Sequence, residues 1–284
     1  MLEEKSFSRA ADRSGYVQST VTTHIQQLEK ISGQKLFHRY PRGIEPTEAG
    51  KIFAKYAYQY VHLSQSLKES MNELDQPCGT IRIRTQESFF LTRMLPFVQE
   101  YTRNSPNVNL RIEQGSHRDI LKGILDYELD FGIVPQNPNR HDILFYPIMD
   151  ETIVFAASED IARRVENAGV HILNDELFIS NGTSCLYHTT AVDVLNNAGI
   201  IVKDALELPS LEMIKQYVSC GKGFALVPEI AISNELKTGT LKLLPFSSTM
   251  SFSHGLIVHK NRELSFTAKS FQSDLLCFFN GKRG

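Results

Sequence analysis

No apolar run in this 284-residue chain approaches the roughly 18 residues that a membrane-spanning helix needs. The opening stretch, MLEEKSFSRAADRSG, carries charge where a secretory signal would need an apolar segment, so an export signal is not read there. Cysteine is scarce. Cys78, Cys185, Cys220 and Cys277 lie far apart with no CxxC pair, which reads as free thiols in a reducing cytosol. The nine histidines are equally scattered, and no HExxH or H-x₃-H spacing suggests a metal or any other cofactor. Three enzyme signatures are also missing: G-x-S-x-G, a P-loop, and GxGxxG following a strand. Gly221-Lys222-Gly223-Phe224 is too short for a phosphate cradle and precedes a strand instead of a helix. His117, His188 and Glu87 are the residues from which an α/β enzyme would have to build acid–base chemistry, and their spacing offers no such geometry. The net charge of −2 gives no global sign of a nucleic-acid partner. Its distribution does, because residues 1–55 hold nine Lys/Arg against six Asp/Glu.

What is present falls into three parts. Up to about Thr47 the chain is short-helical and polar on one side. From Thr47 to Asp75 it is one uninterrupted helical pattern, broken by Gln76-Pro77-Cys78-Gly79. Beyond that, strand-like runs alternate with amphipathic ones. Strands are expected at Thr80–Thr85, Val108–Glu113, Asp130–Val134, Thr152–Ala157, Leu177–Ser180, Ile201–Glu207 and Phe224–Val227. Helices are expected at Phe89–Arg103, His117–Tyr127, Tyr187–Ala198, Ser210–Cys220 and Phe266–Phe279. The alternation predicts parallel βαβ units, and about 205 residues fit two α/β lobes better than one large sheet. No internal repeat or low-complexity tract is visible.

The front carries the most specific pattern. Ser6 supplies a hydroxyl cap, Ala10 and Ala11 allow close helix contact, and Gly15 can end the helix with positive φ. A second helix follows with Val21, Ile25, Leu28 and Ile31 on its buried side, leaving Gln18, Ser19, Thr22, Thr23 and Gln26 outward. Short polar side chains on one face of a second helix can reach base edges and phosphates. The same periodicity also fits an ordinary amphipathic surface helix.

The ordered set SFSRAA (Ser6–Ala11), QSTVT (Gln18–Thr22), Ile25-x-x-Leu28-Glu29, Gly33, Leu36-Phe37-x-Arg39 and Thr47-Glu48-Ala49-Gly50 decides between them, because it resembles the LysR-type winged helix-turn-helix. The resemblance implies a recognition helix carrying Gln18, Ser19, Thr20, Thr22, Thr23 and His24, with Arg39 and Arg42 flanking a wing. Val17 stands where many members have a capping Ser, and Pro46 replaces the usual Leu before the Thr. Only Met1–Lys5 precede Ser6, barely one turn, where the family places an amphipathic helix. Phe7, Val21, Ile25 and Leu28 would then lack part of their cover, so the expectation is either a start codon upstream or an unstable front domain.

In the long helix, Phe53, Tyr56, Tyr60, Leu63, Leu67, Met71 and Leu74 recur at steps of three and four, a seam for a paired helix or for packing within one subunit. The resemblance favours the first, since LysR-type subunits pair through this helix as homodimers or homotetramers. From Gly79 onward the chain resembles the family's effector domain, a two-lobed fold related to periplasmic solute-binding proteins. Gly79–Ile83, Leu95-Pro96, Gly115, Leu129–Ile133 and Val218-x-x-Gly221-x-Gly223-x-Ala225-x-Val227-Pro228 carry that likeness in order. Ligands in such folds lie outside the carboxyl ends of the strands. That position falls to Gln86, Glu87 and Ser88 after the first strand, Ser116 and His117 after the second, and Asn181, Gly182, Thr183 and Ser184 in the other lobe. Hydroxyls and free N–H groups at helix starts predict an anion site there, which Glu87 opposes. Each of these residues would equally serve as a helix cap or loop residue without a ligand. Cys185 beside the loop is an oxidant-sensor candidate with no resolving cysteine near in sequence.

The expected organisation is therefore α/β with an N-terminal α part. It comprises a winged helix-turn-helix over 1–47, a dimerisation linker helix over 48–76 and an effector domain over 79–284. Within the last, lobe I spans about 79–155 and 255–284, and lobe II about 156–254. The expected function is regulation of transcription at a double-stranded operator by a small-molecule effector, with RNA polymerase as a further partner, no membrane and no catalysis. The alternatives are a dimeric small-molecule-binding module and an α/β enzyme.

Overall fold

The computed structural model describes residues 4–40, 43–72, 78–202, 205–246 and 250–281. Two compact units divide after Gln65, inside a long helix, and each is described by itself.

In the front unit, α1 (Phe7–Ser14) starts where the Ser6 hydroxyl accepts from Arg9 N, and ends on Gly15 at φ 70°. Helix α2 (Gln18–Ser32) follows Val17, which supplies no side-chain cap. A two-stranded wing, β1 (Phe37–Tyr40) and β2 (Gly43–Pro46), is antiparallel. Thr47 starts α3 (Glu48–Asn72), its hydroxyl donating to Lys35 O and accepting from Gly50 N. A Cβ on Gly50 would lie 2.0 Å from Leu36 O, so the helix lies on the wing's approach only because residue 50 has no side chain. The only side chain of α2 that is buried is the acidic Glu29. It accepts from Leu36 N at 2.9 Å and from Lys35 Nζ at 3.0 Å. Burial pushes its carboxyl up, but those donors outweigh it and hold the pKa below the usual value. The apolar face expected on α2 is shallower than its period suggests. Val21, Ile25 and Leu28 are half-buried, and Ile31 is 81% exposed on the last turn. A 3.6-residue period identifies a face, but a neighbour must also reach it.

In the second unit, one nine-stranded sheet runs β4-β3-β5-β11-β6-β9-β7-β8, with β10 on the side of β6. The strands are β3 (Gly79–Thr85), β4 (Val108–Gln114), β5 (Phe131–Val134), β6 (Ile143–Ser158), β7 (Phe178–Ser180), β8 (Ala205–Glu207), β9 (Phe224–Pro228), β10 (Leu241–Leu243) and β11 (Met250–His259). Pairing is parallel at β4-β3-β5 and at β9-β7-β8. It is antiparallel wherever β6 or β11 takes part. The sheet is thus mixed: the expected parallel units stand at its two ends, and the two lobes share one continuous sheet through antiparallel β6 and β11. Its continuity comes from two long strands, β6 and β11, which carry side chains into the two largest of its cores. One core gathers Ile83, Phe89, Phe131, Ile148, Leu256 and Phe271, the other Ile153, Phe155, Phe178, Leu195, Phe224 and Phe252. Sequence periodicity finds only the Thr152–Ala157 end of β6, because Pro147 and the charged Asp150-Glu151 interrupt the alternation.

The helices are α4 (Glu87–Phe89), α5 (Leu95–Asn104), α6 (His117–Leu125), α7 (Glu159–Ala168), α8 (Leu186–Asn197), α9 (Leu211–Ser219), α10 (Ser233–Thr238) and α11 (Phe266–Asn280). The single helix expected at Phe89–Arg103 is divided by a π turn at Phe90–Met94, and Pro96 stands in the first turn of α5, where its missing N–H costs nothing. Strand β8 is shorter than the expected Ile201–Glu207, with Lys203 and Asp204 outside the described residues. At Gly223, φ is +134° and a Cβ would stand 2.1 Å from Leu177 O, which accounts for the second glycine of that motif.

Candidate functional site

Two surfaces bring together residues singled out by the sequence. On the front unit, Gln18 opens α2, and its Oε1 accepts from the Ser8 hydroxyl at 2.9 Å, which orients the amide. Thr22 and Thr23 donate back to the carbonyls of Gln18 and Ser19, both at 2.9 Å. Their lone pairs stay available while their protons are committed. Gln18, Ser19, Thr23 and His24 are exposed, and Thr20 and Thr22 half-buried, so Thr22 is less outward than expected. Arg39 is exposed on β1 with its guanidinium 4.9 Å from the Phe7 ring centre, a contact that fixes the wing's base. Arg42 lies outside the described residues.

On the second unit a cleft of about 290 Å³ opens at the carboxyl ends of β3, β4 and β7. Gln86, Glu87, Ser88, Ser116, Asn181 and Ser184 line it, as expected, together with Gln114, Gly115, Cys185, Tyr187, Pro209 and Leu211. His117, Gly182 and Thr183 are not among the lining residues. His117 turns its Nδ1 into a buried place without a partner, and burial lowers its pKa. Gly182 N donates to Ser180 Oγ at 3.2 Å, and Thr183 N to Glu207 Oε1 at 3.3 Å. Glu87 reaches across, its Oε2 accepting from Leu211 N at the start of α9 at 2.9 Å.

These bonds fill part of the expected anion site. The start of α9 is occupied by Glu87 and that of α6 by the Ser116–Asp119 capping box. Cys185 is buried, and burial raises its thiol, so the thiolate an oxidant sensor needs is disfavoured. His188 is buried with its Nδ1 2.8 Å from Ser180 Oγ, and neither it nor His117 joins Glu87 on the cleft wall.

Beneath the cleft, β6 places Glu151 wholly inside the protein. Arg93 Nε donates to it at 3.1 Å and the Tyr187 hydroxyl at 3.4 Å, while His254 Nε2 is 3.8 Å away. Burial raises the Glu151 carboxyl against the pull of Arg93, and lowers His254 to about 4. The π turn that carries Arg93, the strand that carries Glu151 and the helix that carries Tyr187 are thus joined by one polar cluster under the cleft.

Comparison with known proteins names this arrangement. The profile of the LysR substrate binding domain matches residues 74–276, and that of the bacterial regulatory helix-turn-helix protein of the lysR family matches residues 1–51. The chain belongs to the LysR family. Similar family members include the transcriptional regulator YwqM of Bacillus subtilis, 29% identical over 95% of this chain and 92% of that one. Another is YfiE of Escherichia coli, 30% identical over 87% and 84%. The solved ArgP of Mycobacterium tuberculosis covers 98% of this chain and 93% of its own, with a TM-score of 0.72 at 16% identity. Full-length LysG of Corynebacterium glutamicum, with bound effector Arg, gives 0.70 at 16% identity, over 99% and 94%. At that identity the likeness is one of fold.

This LysR-family chain is accordingly a DNA-binding transcriptional regulator with an effector-binding domain, and its relatives are regulators and not enzymes. LysR regulators bind DNA and small-molecule effectors and form oligomers. No helix of the described residues is long and apolar enough to cross a membrane. Sequence reasoning missed Pro209 and Leu211 in the cleft, although the rule that found Gln86 also applies to the turn after β8. The Ser210 cap, accepting from Met213 N at 3.2 Å, was the available signal.

Proposed function

We propose that the front unit reads an operator through Gln18, Ser19, Thr20, Thr22, Thr23 and His24, with Arg39 and Arg42 on phosphates, and that a small molecule held in the cleft controls this binding. The observation that carries the reading is Glu87. A residue of one lobe caps a helix of the other, so the two lobes share a polar contact inside the cavity that a ligand would enter. A ligand that strengthens or replaces this contact changes lobe closure, and closure is a two-arrangement element that both sites can bias. The working unit is a homodimer or a pair of dimers formed along α3. Ile52, Tyr56, Tyr60, Leu63, Leu67 and Met71 stand more than half exposed on it in the single chain. Leu74 of the expected seam lies outside the described residues. Two recognition helices then meet half-sites on a pseudo-palindromic promoter, in the cytoplasm, where changed bending or contact with RNA polymerase sets the output.

Selection from a random duplex library tests this. The full chain should enrich an inverted repeat with half-sites about one helical turn apart. Ser88→Ala and Ser184→Ala, on opposite walls of the cleft, should both blunt the response to a cell-extract fraction that alters binding. Their effects should not add, because both are assigned to one bound molecule. Failure to enrich any sequence would refute the DNA reading, and an unblunted response in both variants would refute the cleft.

A further inference from the structure

We infer that the cleft selects an effector bearing a cationic nitrogen group, a protonated amine or a guanidinium, and that Glu87 is the residue that receives it. The inference rests on the cleft being the effector site. Three observations on the cleft walls carry it.

The first is the sign of the charge. Among the described residues that line the cleft, Glu87 alone is charged. The basic side chains nearby are committed elsewhere. Arg84, packed behind Gly115, pairs with Glu113 at 2.6 Å and gives its Nη1 to Asp119 O at 3.1 Å. Arg93 is bound to Glu151 at 3.1 Å. An anionic group entering the cleft meets a carboxylate and no free cation.

The second is the hydrogen-bond inventory. Four of the backbone donors beside the cleft are taken: Leu211 N by Glu87, Gly182 N by Ser180, Thr183 N by Glu207 and Ser116 N by Asp119. The Ser116 hydroxyl proton goes to Asp119 at 2.6 Å, and Asn181 Nδ2 to Leu208 O at 3.1 Å. Three acceptors are left over. Gln86 is 8% exposed, and its Oε1 is buried with no partner. Asn181 keeps Oδ1, and Glu87 keeps Oε1. A buried acceptor without a donor is costly, and a donor-rich cation is the group that removes that cost. The Ser88 hydroxyl bonds to Tyr187, and the side-chain donors of Gln86 and Ser184 are neutral and suit the uncharged part of a ligand.

The third is orientation. The bond from Leu211 N holds Glu87 by Oε2, so the carboxylate is fixed before the ligand arrives and offers Oε1 without reorganising.

The test uses the full chain, titrated calorimetrically at fixed ionic strength with agmatine, which carries a guanidinium and an amine and no carboxylate, and with succinate. Agmatine should bind and succinate should not. Glu87→Gln keeps the shape and loses the charge, and should weaken agmatine roughly tenfold or more. Ser184→Phe, which fills the cavity from the other wall without touching Glu87, should abolish agmatine binding. Circular dichroism of both variants would confirm that they fold. Succinate binding that Ser184→Phe abolishes would overturn the cationic class while leaving the cleft as the effector site. Agmatine binding that neither variant changes would overturn the cleft assignment as well. Binding of neither probe at 10 mM would overturn the proposed selectivity, and the operator response of the Ser88 and Ser184 variants would still judge the cleft.

Discussion

The front unit and the effector unit are stabilised in different ways, and the contrast explains what each can do. Among the described residues the front unit buries few side chains: Ala10, Ala11, Glu29, Leu36 and Ile44. Caps, a wing strapped by Glu29, and one glycine contact hold the rest. The effector unit buries Phe89, Phe131, Phe155, Phe178, Phe224 and Phe271 almost completely, in two cores spanned by the same pair of strands. A thinly packed unit keeps its polar face available for DNA, whereas two rigid cores on shared strands can transmit a change at the cleft between them.

The largest expected difference follows from this. Phe271→Ala, in contact with Phe97, Tyr101 and Phe131, should cost about 3–5 kcal/mol in urea unfolding of the effector unit. Phe7→Ala, half-buried against Phe37, should cost about 1 kcal/mol and act mainly on operator binding through the lost Arg39 contact. Equal costs at the two positions would erase the distinction between the units.

Next in size is the exposed face of α3. Leu67 is 63% exposed in the single chain, so a charge there is harmless unless a second copy covers it. Leu67→Glu should sediment as monomer and lose operator binding at the same time. A dimer that still binds DNA would move the pairing surface away from this helix.

The pH response separates the units more finely. Burial holds His254 at about 4 in the folded protein, stacked on Phe89 with ring centres 4.6 Å apart. Its folded pKa is below its unfolded one, near 6.5, so its contribution is complete above pH 6.5 and falls away as the pH drops through 6.5 toward 4. His117 and His188, also lowered by burial, act in the same direction. Glu151 acts in the opposite one, because burial raises it and acid relieves its charge. The effector unit's Tm should therefore decline between pH 6.5 and 4, and His254→Phe should flatten that decline. An unchanged profile in the variant would assign the acid sensitivity elsewhere.

Legibility in the sequence tracks the same contrast. The front motif was readable because its determinants are local: the Ser6 cap, Gly15, the polar start of α2 and Thr47-Glu48-Ala49-Gly50 all act within a few residues. Glu29 shows the limit, since its partner Leu36 N lies seven residues away and its burial leaves no periodic mark. In the effector unit the βα turns were readable, and with them Gln86, Glu87, Ser88, Ser116, Asn181 and Ser184 on the cleft wall. The bond from Leu211 to Glu87 spans 124 residues, and no local pattern could announce it. Open N–H groups were inferred from helix starts, and the acids that fill those of α9 and α6 come from tertiary contacts and from a capping box.

The most direct test of the account is a comparison of Gln18→Ala with Arg39→Ala on the enriched duplex and on a scrambled one, over a salt series. If Gln18 reads a base, its loss should weaken binding to the enriched duplex by about 1–3 kcal/mol and leave the scrambled duplex nearly unchanged. Arg39→Ala should weaken both and make the salt dependence shallower, as removal of a phosphate contact does. Equal losses on both duplexes for Gln18→Ala would contradict the assignment of α2 as the helix that reads sequence.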